Sequence, residues 1–208
     1  VKEVVVADPI LRRLIRVYQQ METEYDKVAV QLEFSCTGCP DNCCDSYFEH
    51  HTYVEWSYLW QGFIKLPVDK QKEIQKRAEE YQKACTNAFA RDQRPQMMCP
   101  LNEEGLCILY PYRLMVCRTH GVPASMTRPD GRRLEFPGCF RCQELVKKRI
   151  LDEKAVPRME RTPLLRQLAL IENDLFDGKR HLYPKVKFTI AQMLLQGPPS
   201  VPVPHCER

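Results

Sequence analysis

Residues 34–44 read FSCTGCPDNCC, with four cysteines, Cys36, Cys39, Cys43 and Cys44, set among Gly38, Pro40, Asp41 and Asn42. Two cysteines three positions apart let one turn present both sulfurs to a single metal ion while backbone amides point at them. The spacing therefore recurs in zinc and iron–sulfur sites. Gly38 permits a positive φ, and Pro40 and Asn42 favour a turn, so the loop carries the residues that geometry needs. Cys43 and Cys44 are neighbours whose side chains start in diverging directions. Either one ligates while the other packs, or each serves a different centre.

Further along the chain lie Cys99, Cys107, Cys117 and the pair Cys139-x-x-Cys142, which raises the clustered thiols to nine. A tetrahedral zinc takes four ligands, and so does a typical iron–sulfur cluster, so nine thiols suffice for two centres with one left over. Two cysteines stand apart. Cys85 falls on the apolar stripe of an expected helix and reads as a small core residue, and Cys206 lies in the proline-rich tail. Neither is expected to ligate. The odd total of eleven cysteines in 208 residues suits a closed disulfide framework poorly, and a chain of this length can bury a core without covalent staples. Any single cysteine could be a buried hydrophobe. Two Cys-x-x-Cys pairs, an adjacent pair and Cys99-Pro100 in glycine- and proline-rich loops point together to metal. Neither pair has the strand-to-helix context of a thioredoxin-like redox motif.

Helical periodicity surrounds this thiol-rich core. Asp8-Pro9 starts a helix, and Leu11, Leu14, Ile15, Tyr18, Met21, Tyr25 and Val28 place an amphipathic face over 9–30. Thr52 and Glu55 have capping-box spacing before an aromatic-rich run, Tyr53 to Phe63. A third helix fits 68–91 on the stripe Ile74, Ala78, Tyr81, Cys85 and Phe89. Between Gln93 and Phe140 the helical pattern largely disappears, apart from a short helix through Arg113 to Cys117. Pro129-Asp130-Gly131 there predicts a turn joining Met126 to Leu134-Glu135-Phe136 in a short β-hairpin. A helical pattern returns over Gln143 to Val156. Thr162-Pro163 opens another helix that closes at Gly178, and a last one follows Pro184 and ends at Gly197. The expectation is a mainly α fold in one domain, residues 1–197, with helices around an irregular metal-bound core at 34–142. An extended, mobile tail is expected at 198–208.

Composition narrows the function classes. An apolar content of 44% with 28% charged residues is ordinary for a globular protein. No apolar run approaches the roughly 20 residues needed to span a bilayer. The opening VKEVVVADPI lacks a basic region followed by a sustained apolar core, so the expected location is cytoplasmic. A net charge of +4, without aromatic-interleaved basic strands, gives no specific nucleic-acid signal. The basic stretch Arg141 to Arg166 is broken by Glu144, Asp152, Glu153 and Glu160 and reads as a solvated helical face. No phosphate loop, dinucleotide fingerprint or nucleophile elbow is present, so catalysis is left open.

FSCTGCPDNCC followed by CPLNEEGLCILYPYRLMVCR resembles the CxxCxxCC cysteine-cluster family of zinc- or iron-chelating proteins, which includes the cysteine-rich part of flagellin lysine N-methylases. The resemblance spans about residues 34 to 120. It implies a metal-ligand role for Cys36, Cys39, Cys43 or Cys44, Cys99, Cys107 and Cys117. This sequence has one extra residue in the first cluster, Leu114 after Arg113 where the pattern has proline, and Cys139-x-x-Cys142 beyond the pattern's end. Arg113 and Arg118 are then expected beside thiolates, compensating their charge. His120 reads as a polar loop residue within reach of the site, and His50-His51 as cap or surface residues. Two functions compete. In one, zinc or iron, the latter as a 4Fe-4S cluster, is mainly structural and shapes a surface for a protein partner. In the other, the chain is an iron–sulfur enzyme or electron carrier related to protein lysine methylation. Cysteine ligands alone do not choose between the metals.

Overall fold

The structure, a computed structural model, describes residues 1–36, 43–149 and 155–203, with Cys43 described by its backbone alone. The described residues are mainly helical, with three small sheets. The chain divides into two compact units, one of Val1–Arg12, Cys44–Leu114 and Ile171–Arg208 and the other of Arg13–Cys43 and Met115–Leu170.

The expected first helix is α1, Asp8–Gln31. Its buried face runs through Leu14, Val17, Tyr18, Met21 and Val28, so Val17 replaces the expected Ile15, which is exposed. The helix closes with the Phe34 N–H on the Ala29 carbonyl, and Glu33 takes a positive φ of 50°.

In the first unit, α2 (Tyr53–Phe63) buries nine of its eleven residues, which is why its apolar positions show little periodicity. Thr52 caps it by accepting the Glu55 N–H at 3.3 Å, while the Thr52 hydroxyl donates to the Glu55 carboxylate at 2.8 Å. Helix α3, Val68–Phe89, buries Ile74, Ala78, Tyr81 and Cys85 as expected, but Phe89 is exposed and lies edge-on to Tyr47. Against α3 packs α7, Ile190–Gln196. It begins later than Pro184 suggested, because Thr189 and Gln192 form a reciprocal capping box there. The expected tail is tied down at its start. Ser200–Val201 (β7) pair antiparallel with Lys2–Glu3 (β1), and Val201 is buried. Cys206 lies outside the described residues.

His50 corrects the reading of His50-His51 as cap or surface residues. His50 is 2% exposed, its backbone exchanges hydrogen bonds with Phe188, and its Nδ1 has no hydrogen-bond partner among the described residues. Burial, and then the neighbouring His51, hold its pKa down to about 3 from an ordinary 6.5. The unfolded chain therefore takes up a proton near pH 6.5 that the folded chain refuses until about pH 3. Stability contributed by neutral His50 is full above pH 6.5 and is lost as pH falls through that window. The loss runs up to about 1.4 kcal/mol per pH unit. Urea midpoints at pH 7, 6 and 5 should fall more steeply for the native chain than for His50→Gln, and parallel curves would refute this.

In the second unit the predicted hairpin is present. Ala124–Thr127 (β4) pairs with Arg133–Phe136 (β5), Met126 opposite Leu134. A third strand absent from the sequence reading, Met159–Glu160 (β6), adds in parallel to β4. Helix α4 is Met115–Thr119. Helix α5, Phe140–Arg149, starts three residues before the expected Gln143, and the rest of the stretch expected to be helical, up to residue 154, lies outside the described residues. Helix α6, Thr162–Leu175, ends with the Gly178 N–H on the Asn173 carbonyl.

Candidate metal centre

The stretch expected to be irregular contains one more hairpin that the sequence reading missed. Asn102–Glu103 (β2) and Leu106–Cys107 (β3) pair across Glu104-Gly105, both with positive φ, at 50° and 87°. That is the two-residue type I′ turn, for which Asn-Gly is the strong sequence signal, and glutamate in the first position hid it. Glu104→Asn should raise the thermal midpoint by a stabilisation of about 1 kcal/mol, since asparagine tolerates the left-handed conformation better. No rise would show that the turn is set by its surroundings.

The hairpin places Cys107. Arg77 on α3 donates to the Asn102 carbonyl at 3.0 Å and pairs with Glu103 at 2.7 Å, and Lys70 pairs with Glu103 at 3.0 Å. Cys99 lies just ahead, its carbonyl accepting the Asn102 N–H at 2.9 Å, and its own N–H donates to the Cys44 carbonyl at 2.9 Å. The Met97 N–H donates to the Asp45 carbonyl at 3.1 Å, and the Gln96 side chain to the Asp45 carboxylate at 2.8 Å. Three thiol-bearing residues, Cys44, Cys99 and Cys107, are thus tied together in the first unit by main-chain bonds. Burial pushes the Cys107 thiol up, the Leu109 N–H pulls it down, Cys44 raises it and Arg113 lowers it. Arg113 lies near this thiol as expected, stacked on the Tyr110 ring at 3.5 Å. Cys85 is buried on α3, hydrogen-bonded to Tyr81, whose hydroxyl also feels Cys99.

In the second unit Cys36 follows the end of α1. Its sulfur shares a hydrogen bond with the Tyr25 hydroxyl at 3.6 Å. Tyr25 reaches there because position 121 has no side chain: a Cβ on Gly121 would stand 2.0 Å from the Tyr25 oxygen. The Gly121 carbonyl accepts the Cys139 N–H at 3.1 Å. Gly138, at φ +83°, must also be glycine, because its Cβ would meet that carbonyl at 2.8 Å. Cys139 immediately precedes α5, its carbonyl accepting the Gln143 N–H, and Cys142 is buried in the helix's first turn. Burial, then Cys139, then Cys36 push the Cys142 thiol up to about 12.

Gly121→Ala should displace the Tyr25 ring, cost about 1–3 kcal/mol, and speed alkylation of Cys36 in metal-free protein. Adding Tyr25→Phe should recover part of the stability, and unchanged alkylation would refute the contact.

Arg118 follows Cys117 on α4. It is buried, paired with Glu22 at 2.5 Å and stacked over Tyr18 at 4.2 Å. Cys117 sits half-buried on α4, and His120 half-buried just after it. Cys39 and the Cys43 side chain lie outside the described residues. Tyr25, Gly121 and Gly138 were not singled out in sequence. Tyr25 read only as part of an apolar stripe, and nothing local marks two glycines that meet in space.

None of the eight cysteines whose side chains are described is in a disulfide, and among the described residues no three Cys, His, Asp or Glu side chains are placed to hold one metal ion. Thiolate sulfur is the donor type that a soft cation takes. In each unit a thiol of the first cluster raises one of the second, Cys44 acting on Cys107 and Cys36 on Cys142, and a cation near such thiolates would offset their repulsion. An arginine beside one group and a helix N-terminus at the other suit anionic sulfur. No family model, no curated protein and no solved structure matches this chain.

Proposed function

We propose that this chain is a metal-binding protein whose clustered cysteine thiolates hold zinc or an iron–sulfur cluster, the metal mainly ordering the cysteine-rich segment and shaping a surface for a protein partner. The observation that carries the reading is that the fold links segments bearing cysteines far apart in sequence. Cys44 is bonded through the backbone to Cys99, beside the hairpin of Cys107. Cys36 is linked through Tyr25 and Gly121 to Cys139, which immediately precedes the helix of Cys142. The ligands would be these six with Cys39, Cys43 and Cys117. The resemblance to the CxxCxxCC family supports the same reading. When bound, such a metal supplies cross-linking and positive charge among thiolates that otherwise repel.

Anaerobic purification followed by elemental analysis and visible absorption tests it. Colourless protein carrying zinc supports a structural ion, and brown protein carrying iron and sulfide supports a cluster. Protein that elutes without metal, and takes up neither zinc nor iron after reduction, would refute the proposal. Among the described residues no helix is long and apolar enough to cross a membrane.

A further inference from the structure

Strand β5 ends at Phe136, Pro137 and Gly138 follow, Cys139 stands immediately before α5, and Cys142 lies in that helix's first turn. This is the strand-to-helix setting that neither Cys-x-x-Cys pair shows in sequence. It was hidden because α5 starts three residues before the expected Gln143. From this placement we infer that Cys139 and Cys142 are a redox-active dithiol that undergoes thiol–disulfide exchange with a disulfide-bearing reactant. The inference goes beyond the metal-binding reading and does not rest on it, because it needs only these two sulfurs.

The Cys139 carbonyl accepts the Gln143 N–H at 3.0 Å, which makes Cys139 the N-cap of α5 and Cys142 the third residue inside it. Residues three apart on a helix are neighbours, with Cβ atoms about 5–6 Å apart. An N-cap lies outside the helical backbone geometry, so the remaining approach to the roughly 4 Å Cβ spacing of a disulfide falls on Cys139 and leaves the helix intact. The loop ahead of the pair is pinned. The Cys139 N–H donates to the Gly121 carbonyl at 3.1 Å, and a Cβ on Gly138 would stand 2.8 Å from that carbonyl. Both cysteines are free thiols, and accessibility divides their roles. Cys139 is half-buried and sits beside Phe140, which is 66% exposed, so a reactant reaches this sulfur and meets an apolar surface next to it. Cys142 is 0% exposed, so an outside reactant does not meet it first.

The helix N-terminus favours the thiolate of Cys139, which attacks one sulfur of the reactant disulfide. That S–S bond breaks, one half leaves as a thiolate, and a mixed disulfide remains on Cys139. The Cys142 sulfur then attacks the Cys139 sulfur and expels the other half. The two protein thiols are thereby oxidised to a Cys139–Cys142 disulfide, the reactant is reduced to two thiols, and the two protons shed by the protein pass to the leaving thiolates. Cys36, exposed and held by Tyr25 against Gly121, is the competing partner for Cys139.

The test uses the full native chain as purified, its metal content measured first. It is equilibrated without oxygen in glutathione buffers running from reducing to oxidising, quenched, and its cysteines mapped by mass spectrometry. A Cys139–Cys142 disulfide should form at the oxidising end and reverse in reduced glutathione, with the loss of two alkylatable thiols per chain and release of any cation those sulfurs held. Cys142→Ser should trap one glutathione on Cys139, while Cys139→Ser should leave Cys142 unmodified in the same buffers. Circular dichroism checks that both variants are folded, and if either is not, the mapping of the native chain decides alone. Folded native protein whose Cys139 and Cys142 both stay reduced in the most oxidising buffer, or whose Cys139 pairs with Cys36, would overturn the inference. A chain that carries no metal yet forms the disulfide defeats the metal reading and upholds this one. Metal retained with both thiols reduced does the reverse.

Discussion

Stripping metal with a chelator in the presence of reductant is expected to make residues 93–142 sensitive to protease while most of the helical circular dichroism persists. The elements in that stretch are short. Strands β2 and β3 have two residues each, and α4 has five. Isolated pieces of that size do not hold themselves in water, because nucleation costs more than a few hydrogen bonds return. A structural zinc whose site exists only in the folded chain contributes on the order of 10 kcal/mol near neutral pH. That exceeds the whole stability of many domains. By contrast, α1 and α3 run 24 and 22 residues and bury continuous stripes of their own. Within the sensitive stretch, the β4–β5 hairpin should be cut last, since β6 pairs with it. Metal-free protein that keeps 93–142 protected would show that packing orders the segment, and would move the cysteines towards a catalytic or redox role.

The second large effect is expected at a position that carries no thiol. Glu172 on α6 is 4% exposed, and its two carboxylate oxygens accept the N–H groups of Tyr53 and Val54 at 3.0 and 2.9 Å, at the start of α2. The same carboxylate pairs with Arg180 at 2.7 Å, and that guanidinium lies 5.0 Å over the Tyr53 ring. Negative charge at a helix N-terminus satisfies donors that have no partner within the helix and opposes the helix dipole. Glu172→Ala would leave two buried amides and an arginine without their acceptor, at a cost of about 3–5 kcal/mol. Glu172→Gln, which keeps the shape and one acceptor oxygen, should cost roughly half as much. Denaturant midpoints measure both. A loss below about 1 kcal/mol in the alanine variant would show that water replaces the carboxylate.

The long elements were legible in the sequence because their information is local. Asp8-Pro9, Thr52 with Glu55, and Thr162-Pro163 mark helix starts through caps that involve only near neighbours, and the stripes of α1 and α3 follow from 3.6-residue periodicity. The turn at Pro129-Asp130-Gly131 was readable for the same reason. Errors occurred where distant residues decide the outcome. His50 reads as a polar surface residue until its pairing with Phe188 buries it, and Ser200–Val201 read as loose tail until Lys2–Glu3 supplies a ladder.

The thiol inventory and its loop chemistry belong to the sequence alone: four cysteines in 34–44, five more through 142, and the turn residues between them. Which cysteine-bearing segments lie beside one another was decided only in three dimensions. No spacing rule joins Cys36 to Cys139 across about a hundred residues, and nothing local says that Gly121 must lack a side chain for Tyr25 to reach Cys36. Periodicity and caps are short-range and leave a mark in neighbouring letters. The meeting of two loops depends on how the elements between them pack, and that is set by close contacts such as Tyr25 on Gly121, which exist only after the chain has folded.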